Sequence, residues 1–408
     1  MHADRLLNRP LSGAVHEPTN NSVLFEFDEV RDLEAVFQGK QAGHVYSRSS
    51  SGSAVALQNM LNHIEGGVGA VVYSTGMAAI SSMIFSLLHS GDHIVVSSYL
   101  FGNTRSFFES LSHFDIRVSY VDVTDAQNVK DAMTDATKLV FCEAIANPVT
   151  QVSDLANIGA LCKAKDILFV VDNTTTPAPI FKAKALDASL VVTSLTKYVA
   201  GHGNVLGGVI VDLGNYNWAS FDNIAHKYRV DDTQLWGLVQ LRKRGLRDMG
   251  ATLAPQSAHQ ISVGLETLNM RMQKTCDNAQ ALAEFCHANP AFERVYYPGL
   301  SNHPQQALAS ELFKGMYGGI LSVELTQDID MRSFINALKL VICATHLGDN
   351  RTLALPVATT IFYENGPEQR KVMGISDSLI RISLGIEEID DVIEDVQNAI
   401  TLAKQASS

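Results

Sequence analysis

Apolar positions along this chain fall into two alternating patterns. Short unbroken runs rich in β-branched residues ("GAVVYS", "HIVVS", "IRVSYV", "KLVFCEA", "ILFVVD" and "SLVVTS") recur from about residue 55 onward. Helix-like segments such as "GMAAISSMIFSLLHS" and "SDLANIGALCKAK" separate several of them. Runs with no polar alternation belong to strands covered on both faces, so this region predicts an α/β domain built on a mostly parallel central sheet. The alternation ends at "GGVIVD", residue 212, and a long, largely helical stretch follows from "LRDMGATLAP" to "AEFCHA", with one proline at 255. Beyond it "GGILSVEL", "LVICAT" and "LIRISLG" read as strands among helices, which predicts a smaller α+β domain. The expected division is an N-terminal arm over 1–54 with one helical piece, a large domain over 55–255 and a C-terminal domain over 256–408. No internal repeat is visible.

Length changes little in this picture: 408 residues is more than one ordinary domain and enough to bury a large core. With 46% hydrophobic and 18% charged residues the chain reads as globular. The net charge of −12 and the lack of a long basic block argue against a nucleic-acid partner. Five scattered cysteines without a CxxC pair argue against a disulfide framework or a zinc knuckle, and for a reducing compartment. No apolar run is long enough to span a membrane, and "MHADRLLNRPLSG" has no signal-like apolar core, so the expectation is a cytoplasmic protein without a membrane partner.

The candidate chemistry clusters at strand ends, where parallel sheets bind ligands. Asp172 ends "ILFVVD", Glu143 and Asn147 follow "KLVFC", and Ser194, Thr196 and Lys197 follow "SLVVT". A strand-end aspartate taken alone is most often a cap or turn residue. Here Asp172 and Lys197 end neighbouring runs one βαβ crossover apart, so they can face one cleft. A lysine amine beside a buried carboxylate suits a Schiff base: pyridoxal phosphate needs a lysine for its aldehyde and an acid for its ring nitrogen. "YSTGMAAISS" supplies a cradle for its phosphate, a strand running into a helix that begins at Gly76 and Met77 with free N–H groups. By itself "STG" is only a helix cap. "GHGNVLGG" fits neither nucleotide-loop pattern, no GxSxG elbow is present, and the histidines show no metal-ligand spacing.

Taken together, "SLTKYVAGHGNVLGG", "DNT", "YSTGMAA" and "YSR" resemble the Cys/Met-metabolism family of pyridoxal-phosphate enzymes, from about residue 23 to the C-terminal helix. "GLRDMGATLAP", "GLETLNMRM" and "YYPGL" are most similar to its sulfhydrylase and methionine γ-lyase branches. The resemblance implies a fold-type I pyridoxal-phosphate transferase. It implies that Lys197 binds the cofactor aldehyde and shuttles protons, and that Asp172 pairs with the ring nitrogen. Gly76, Met77, Ser194 and Thr196 would bind the phosphate. Tyr46 and Arg48 of "YSR" would reach the phosphate of a neighbouring subunit, which implies a homodimer with shared sites, paired into a dimer of dimers. Asn147 would lie near the ring hydroxyl, and Arg381 would hold the α-carboxylate of a small amino-acid substrate. Without the resemblance, Arg381 would read as an ordinary ion-pair partner.

The chain departs from the family pattern at three places, two of which bear on function. "LFGNT" puts Phe101 where many relatives have a tyrosine that stacks on the cofactor and, in the γ-lyases, helps to expel a thiolate. An ester's carboxylate leaves without that help, so Phe101 favours replacement of an acyl group; loss of a general acid typically costs about 10²–10⁴-fold. "THLGD" puts His346 in place of serine near the substrate carboxylate, where it shapes substrate choice or fills space. Ser51-Gly52-Ser53 replaces the usual Asn-Pro-Thr after "YSR".

The leading expectation is γ-replacement on an acetyl- or succinylhomoserine by sulfide or a thiol such as cysteine. The alternative is γ-elimination from methionine or cystathionine, with a β-lyase as a weaker third. A non-catalytic binding protein is disfavoured by the joint presence of Lys197, Asp172 and the phosphate cradle.

Overall fold

The computed structural model of the chain describes residues 13–407. The first twelve residues of the expected arm lie outside them. From Gly13 the arm runs over the surface, forms one helix, α1 (Val30–Phe37), which buries none of its residues, and leads into α2 (Gly52–Glu65). Ser51 starts α2 by accepting the Ala54 amide, and Gly66, at φ +73°, ends it in the left-handed conformation that glycine adopts without strain.

Seven strands then build the large sheet: β1 (Gly69–Tyr73), β2 (His93–Ser97), β3 (Arg117–Val121), β4 (Thr137–Glu143), β5 (Leu168–Asp172), β6 (Leu190–Ser194) and β7 (Gly208–Asp212). Their spatial order is β1-β7-β6-β5-β4-β2-β3, and only β7 runs antiparallel to its neighbours. Alternate residues enter two different cores. Val140, Phe169, Val171 and Val191 pack on one face, while Leu139, Phe141, Leu168 and Val170 pack on the other. Both faces are apolar, which is why the strands read as unbroken hydrophobic runs. Helix α3 (Gly76–Leu87) follows β1, and α4 (Gly102–Ser110) follows β2.

The helical reading of the stretch from Leu246 holds only in part. A helix with π-type turns covers Leu241–Asp248, Gly250 at φ +73° breaks it, and Pro255 opens a new helix, α5 (Pro255–Glu266), which precedes α6 (Leu268–Ala288). Proline at a first helical position forfeits no hydrogen bond. The second sheet has the order β10-β11-β12-β9-β8, from β8 (Phe292–Tyr296), β9 (Ile320–Leu325), β10 (Ile342–Cys343), β11 (Leu353–Pro356) and β12 (Ile380–Ser383). The strand read in "LVICAT" shrinks to two exposed edge residues, after which the chain turns toward the large sheet. Ile380 and Ile382 of β12 enter a third core with α6 and the last helix, α7 (Ile389–Ser407), so Arg381 and Ser383 project from the opposite face. Among the described residues no helix is long and apolar enough to cross a membrane.

Candidate active site

The carboxyl ends of β4, β5 and β6 open into a cavity of about 390 Å³, within the range that encloses a small cofactor with its substrate. Gly76, Met77, Phe101, Asn147, Asp172, Ser194, Thr196, Lys197 and Arg381 all line it. His346 is not among the lining residues, although its neighbours Thr345 and Leu347 are; its Nδ1 stands 3.3 Å from Lys197 Nζ. Tyr46 and Arg48 do not line the cavity of their own chain. Arg48 lies 5.5 Å from the centroid of the Tyr46 ring and donates to the Arg247 carbonyl at 2.5 Å, on the surface.

One end of the cavity suits an anion. Thr75 caps α3 by accepting the Ala78 amide at 2.9 Å, and the Ala79 amide bonds the Thr75 carbonyl. The Gly76 and Met77 amides precede these bonds and point out of the helix at its positive end. Glycine is required here: a Cβ on residue 76 would stand 2.8 Å from Ser194 Cβ, closing the gap between β6 and the helix. Thr196 Oγ1 accepts the Gly207 amide at 3.0 Å and donates to its carbonyl at 3.3 Å, so offering a proton to an anion means giving up the longer bond.

The other end is acidic. Asp172 accepts the Thr174 amide at 2.9 Å, and Glu143 stands level with it on the adjacent strand. Burial raises the pKa of both carboxyls, and the charge of Asp172 raises Glu143 further. A cation facing Asp172 relieves that strain. Glu143 Oε1 also accepts the Phe101 amide at 2.8 Å, which anchors the turn that starts α4. The Phe101 ring meets Phe362 edge-on, with centroids 6.1 Å apart.

Lys197 sits between the two ends, in a turn closed by the Gly201 amide on the Lys197 carbonyl. Burial, and then the charge of Arg381, lowers its pKa to about 8, so the free amine is accessible near neutrality. Arg381 is 2% exposed. It donates to Asn147 Oδ1 (3.3 Å) and to the Thr345 and His346 carbonyls (3.0 and 2.9 Å), while its Nε has no partner among the described residues. No carboxylate pairs with it among the described residues. Burial pulls its pKa down to about 10, with the Tyr198 hydroxyl acting in the opposite direction. A buried guanidinium without an anion is costly, and a ligand carboxylate would complete it.

Sequence reasoning marked Glu143 only as a strand-end acid and gave it no role. The signal was present, since Glu143 ends its run just as Asp172 does. Behind Asp172, Asn173 donates to the buried Glu65 at 3.0 Å, a contact with no local signature in the sequence.

The anion cradle, the lysine and the acid follow one another across a cavity of the right size, so these residues fit pyridoxal phosphate. The Cys/Met metabolism PLP-dependent enzyme family model matches residues 1–401. The L-methionine γ-lyase of Pseudomonas putida is 36% identical over 391 residues, covering 95% of this chain and 93% of that protein. The O-succinylhomoserine sulfhydrylase of Pseudomonas aeruginosa is 35% identical, with 92% and 88% covered. A crystal structure of a putative O-acetylhomoserine (thiol)-lyase from Campylobacter jejuni, which carries N'-pyridoxyl-lysine-5'-monophosphate, superposes with a TM-score of 0.91 at 28% identity over 96% of each chain.

Proposed function

The chain belongs to the Cys/Met metabolism family of PLP-dependent enzymes, and from that premise we propose that it catalyses γ-replacement. An O-acylhomoserine, acetyl or succinyl, exchanges its acyloxy group for sulfide or a thiol such as cysteine, giving homocysteine or cystathionine. The observation that carries this reading is Phe101. It lines the cavity at its acidic end, where its amide binds Glu143, and no tyrosine of the same chain lines the cavity with it among the described residues. A phenyl ring donates no proton to a departing thiolate, whereas a carboxylate is a weak base and leaves unaided.

Pyridoxal phosphate supplies the electron sink that makes the Cα and Cβ protons of an amino acid removable. The residues supply everything else. The Gly76 and Met77 amides and the Ser194 and Thr196 hydroxyls would hold the phosphate, and Asp172 would keep the ring nitrogen protonated. Phe101 would cover the ring, and Asn147, held by Arg381, would lie by its hydroxyl. Arg381 takes the substrate carboxylate through its unpaired Nε edge. Lys197 Nζ, once free, removes the Cα and Cβ protons and returns one at the end. Its lowered pKa suits a group that must both accept and give a proton. Tyr46 and Arg48, outside their own cavity, are assigned to the phosphate of a second copy in a dimer, two dimers making a tetramer. The same reading divides the chain into an arm (1–54), a cofactor domain (55–255) and a C-terminal domain (256–408).

One observation favours a second reading, γ-elimination from methionine or cystathionine: the similarity to methionine γ-lyases is as high as that to the sulfhydrylases. The test is a substrate panel on protein loaded with pyridoxal phosphate: acetyl- and succinylhomoserine, methionine and cystathionine, each with and without sulfide or cysteine. A product that needs both ester and thiol supports replacement. Keto acid from methionine or cystathionine alone overturns it in favour of the lyase.

A further inference from the structure

Lys197 and Arg381 come from different sheets, and one residue touches both. His346 Nδ1 is 3.3 Å from Lys197 Nζ, and the His346 carbonyl accepts from Arg381 Nη2 at 2.9 Å. The segment around it is held close. Gly348, at φ +74°, backs onto the lysine turn so tightly that a Cβ there would stand 2.6 Å from the Tyr198 amide nitrogen and 3.0 Å from the Lys197 carbonyl carbon. Its own amide donates to Ser383 Oγ at 3.0 Å, on the strand that carries Arg381.

The direction of the His346 bond follows from its surroundings. An ammonium Nζ only donates, so Nδ1 accepts and the ring proton belongs on Nε2, which has no partner among the described residues. Burial, then the charge of Lys197, lowers the imidazole to about 4. Arg381 and Arg351 act in the same direction, and only Asp349, itself bound by Arg351 at 2.8 Å, opposes them. The ring is therefore neutral wherever the lysine works.

We infer that His346 is a positioning residue for Lys197: its Nδ1 orients the amine toward the cavity, and its carbonyl ties that amine to the guanidinium that receives the substrate carboxylate. This rests on the reading of Lys197 as the cofactor lysine.

The test uses cofactor capture rather than turnover. Protein stripped of cofactor is mixed with pyridoxal phosphate, and the absorption change is followed as Nζ adds to the aldehyde carbon, a C=N bond forms and water leaves. In parallel, pyridoxine 5'-phosphate, which has no aldehyde, reports non-covalent binding by fluorescence. His346→Leu, close in size but unable to accept, is expected to slow capture about 3- to 10-fold, the worth of one hydrogen bond, with affinity for pyridoxine phosphate unchanged. His346→Gln, whose Oε1 replaces Nδ1, is expected to recover most of the rate. Capture as fast in His346→Leu as in the wild type overturns the inference. So does a parallel loss of pyridoxine phosphate binding, because His346 would then build the site instead of orienting the amine. Should the leucine variant fail to fold, His346→Ala with imidazole added reads the same contact, and the absence of rate recovery overturns it. A wild-type protein that captures no cofactor overturns the proposed function first, and the inference with it.

Discussion

Glu143 and Asp172 are Cα partners at the ends of adjacent parallel strands, and both are buried. Two carboxylates in such a place oppose each other's ionisation, and burial opposes both. What keeps them there is the set of amides that bind them, Phe101 on Glu143 and Thr174 on Asp172. The pair links the acidic floor of the cavity to the turn that carries Phe101.

That linkage separates two substitutions of Glu143. Glu143→Gln keeps an oxygen for the Phe101 amide and copies the protonated carboxyl that burial favours, the Glu143 pKa being pushed up to about 8. Glu143→Ala leaves the amide unpaired, at a cost of about 1–3 kcal/mol. The alanine variant is expected to lose several degrees in thermal unfolding and most of the circular dichroism of the bound cofactor. The glutamine variant is expected to keep both.

Arg381 acts on two things at once. Arg381→Met should lower kcat/KM by about 10²–10³-fold through the substrate carboxylate. It also removes a positive charge that disfavours the Lys197 ammonium. The sign is fixed: with that charge gone, the lysine pKa rises from about 8 toward its ordinary value. The capture rate of pyridoxal phosphate, which needs the free amine, falls tenfold per pH unit below the pKa. Its midpoint is therefore expected near pH 8 in the wild type and higher in Arg381→Met. A midpoint that stays put would rule out the coupling.

Phe101→Tyr supplies the hydroxyl that the chain lacks at this position. If Phe101 is what biases the site toward replacement, the tyrosine variant should release keto acid from methionine at least about tenfold faster than the wild type, with replacement on the ester little changed. An unchanged product ratio would place the reaction choice elsewhere in the cavity.

Glu65 predicts a pH effect on stability with no part in chemistry. It is buried, accepts one bond from Asn173, and has its second oxygen unpaired, so burial raises its pKa to about 7. Between about pH 4.5 and 7 the unfolded chain loses a proton that the native state keeps, so stability falls as pH rises and levels off above 7. The deficit is roughly 3 kcal/mol. Glu65→Gln copies the protonated form. Its gain in melting temperature over the wild type should be near zero at pH 4.5 and grow to a few degrees at pH 8.

Much of this was legible in order along the chain. Strands buried on both faces announce themselves as unbroken apolar runs, and their ends located Asp172, Ser194 and Lys197 without any coordinates. Resemblance supplied what spacing does not, above all Arg381. Contacts between distant segments left no local trace. Glu65 meets Asn173 only because α2 crosses the back of the sheet, and His346 meets Lys197 only because β11 and β12 fold the C-terminal sheet against the large one. The stretch from Leu246 to Ala288 is largely helical as expected, and its break at 249–254 has a local cause, Gly250 in the left-handed region, which composition alone does not reveal.

The closeness of Gly348 to the lysine turn gives the last prediction. Alanine at a positive φ costs about 1–2 kcal/mol wherever it occurs. A control isolates that term: Gly91, at φ +90°, has nothing within 4 Å of its would-be Cβ. Gly91→Ala should therefore lower stability by the backbone cost alone and leave cofactor capture untouched. Gly348→Ala bears a similar backbone cost and also pushes its Cβ into the Tyr198 amide. The loop must retreat, and His346 and the carbonyls that bind Arg381 retreat with it. The expected result is a larger drop in melting temperature than in Gly91→Ala, slower pyridoxal phosphate capture, and a raised KM for the amino-acid substrate. Equal behaviour of the two variants would mean that the loop carrying His346 gives way without disturbing either cation.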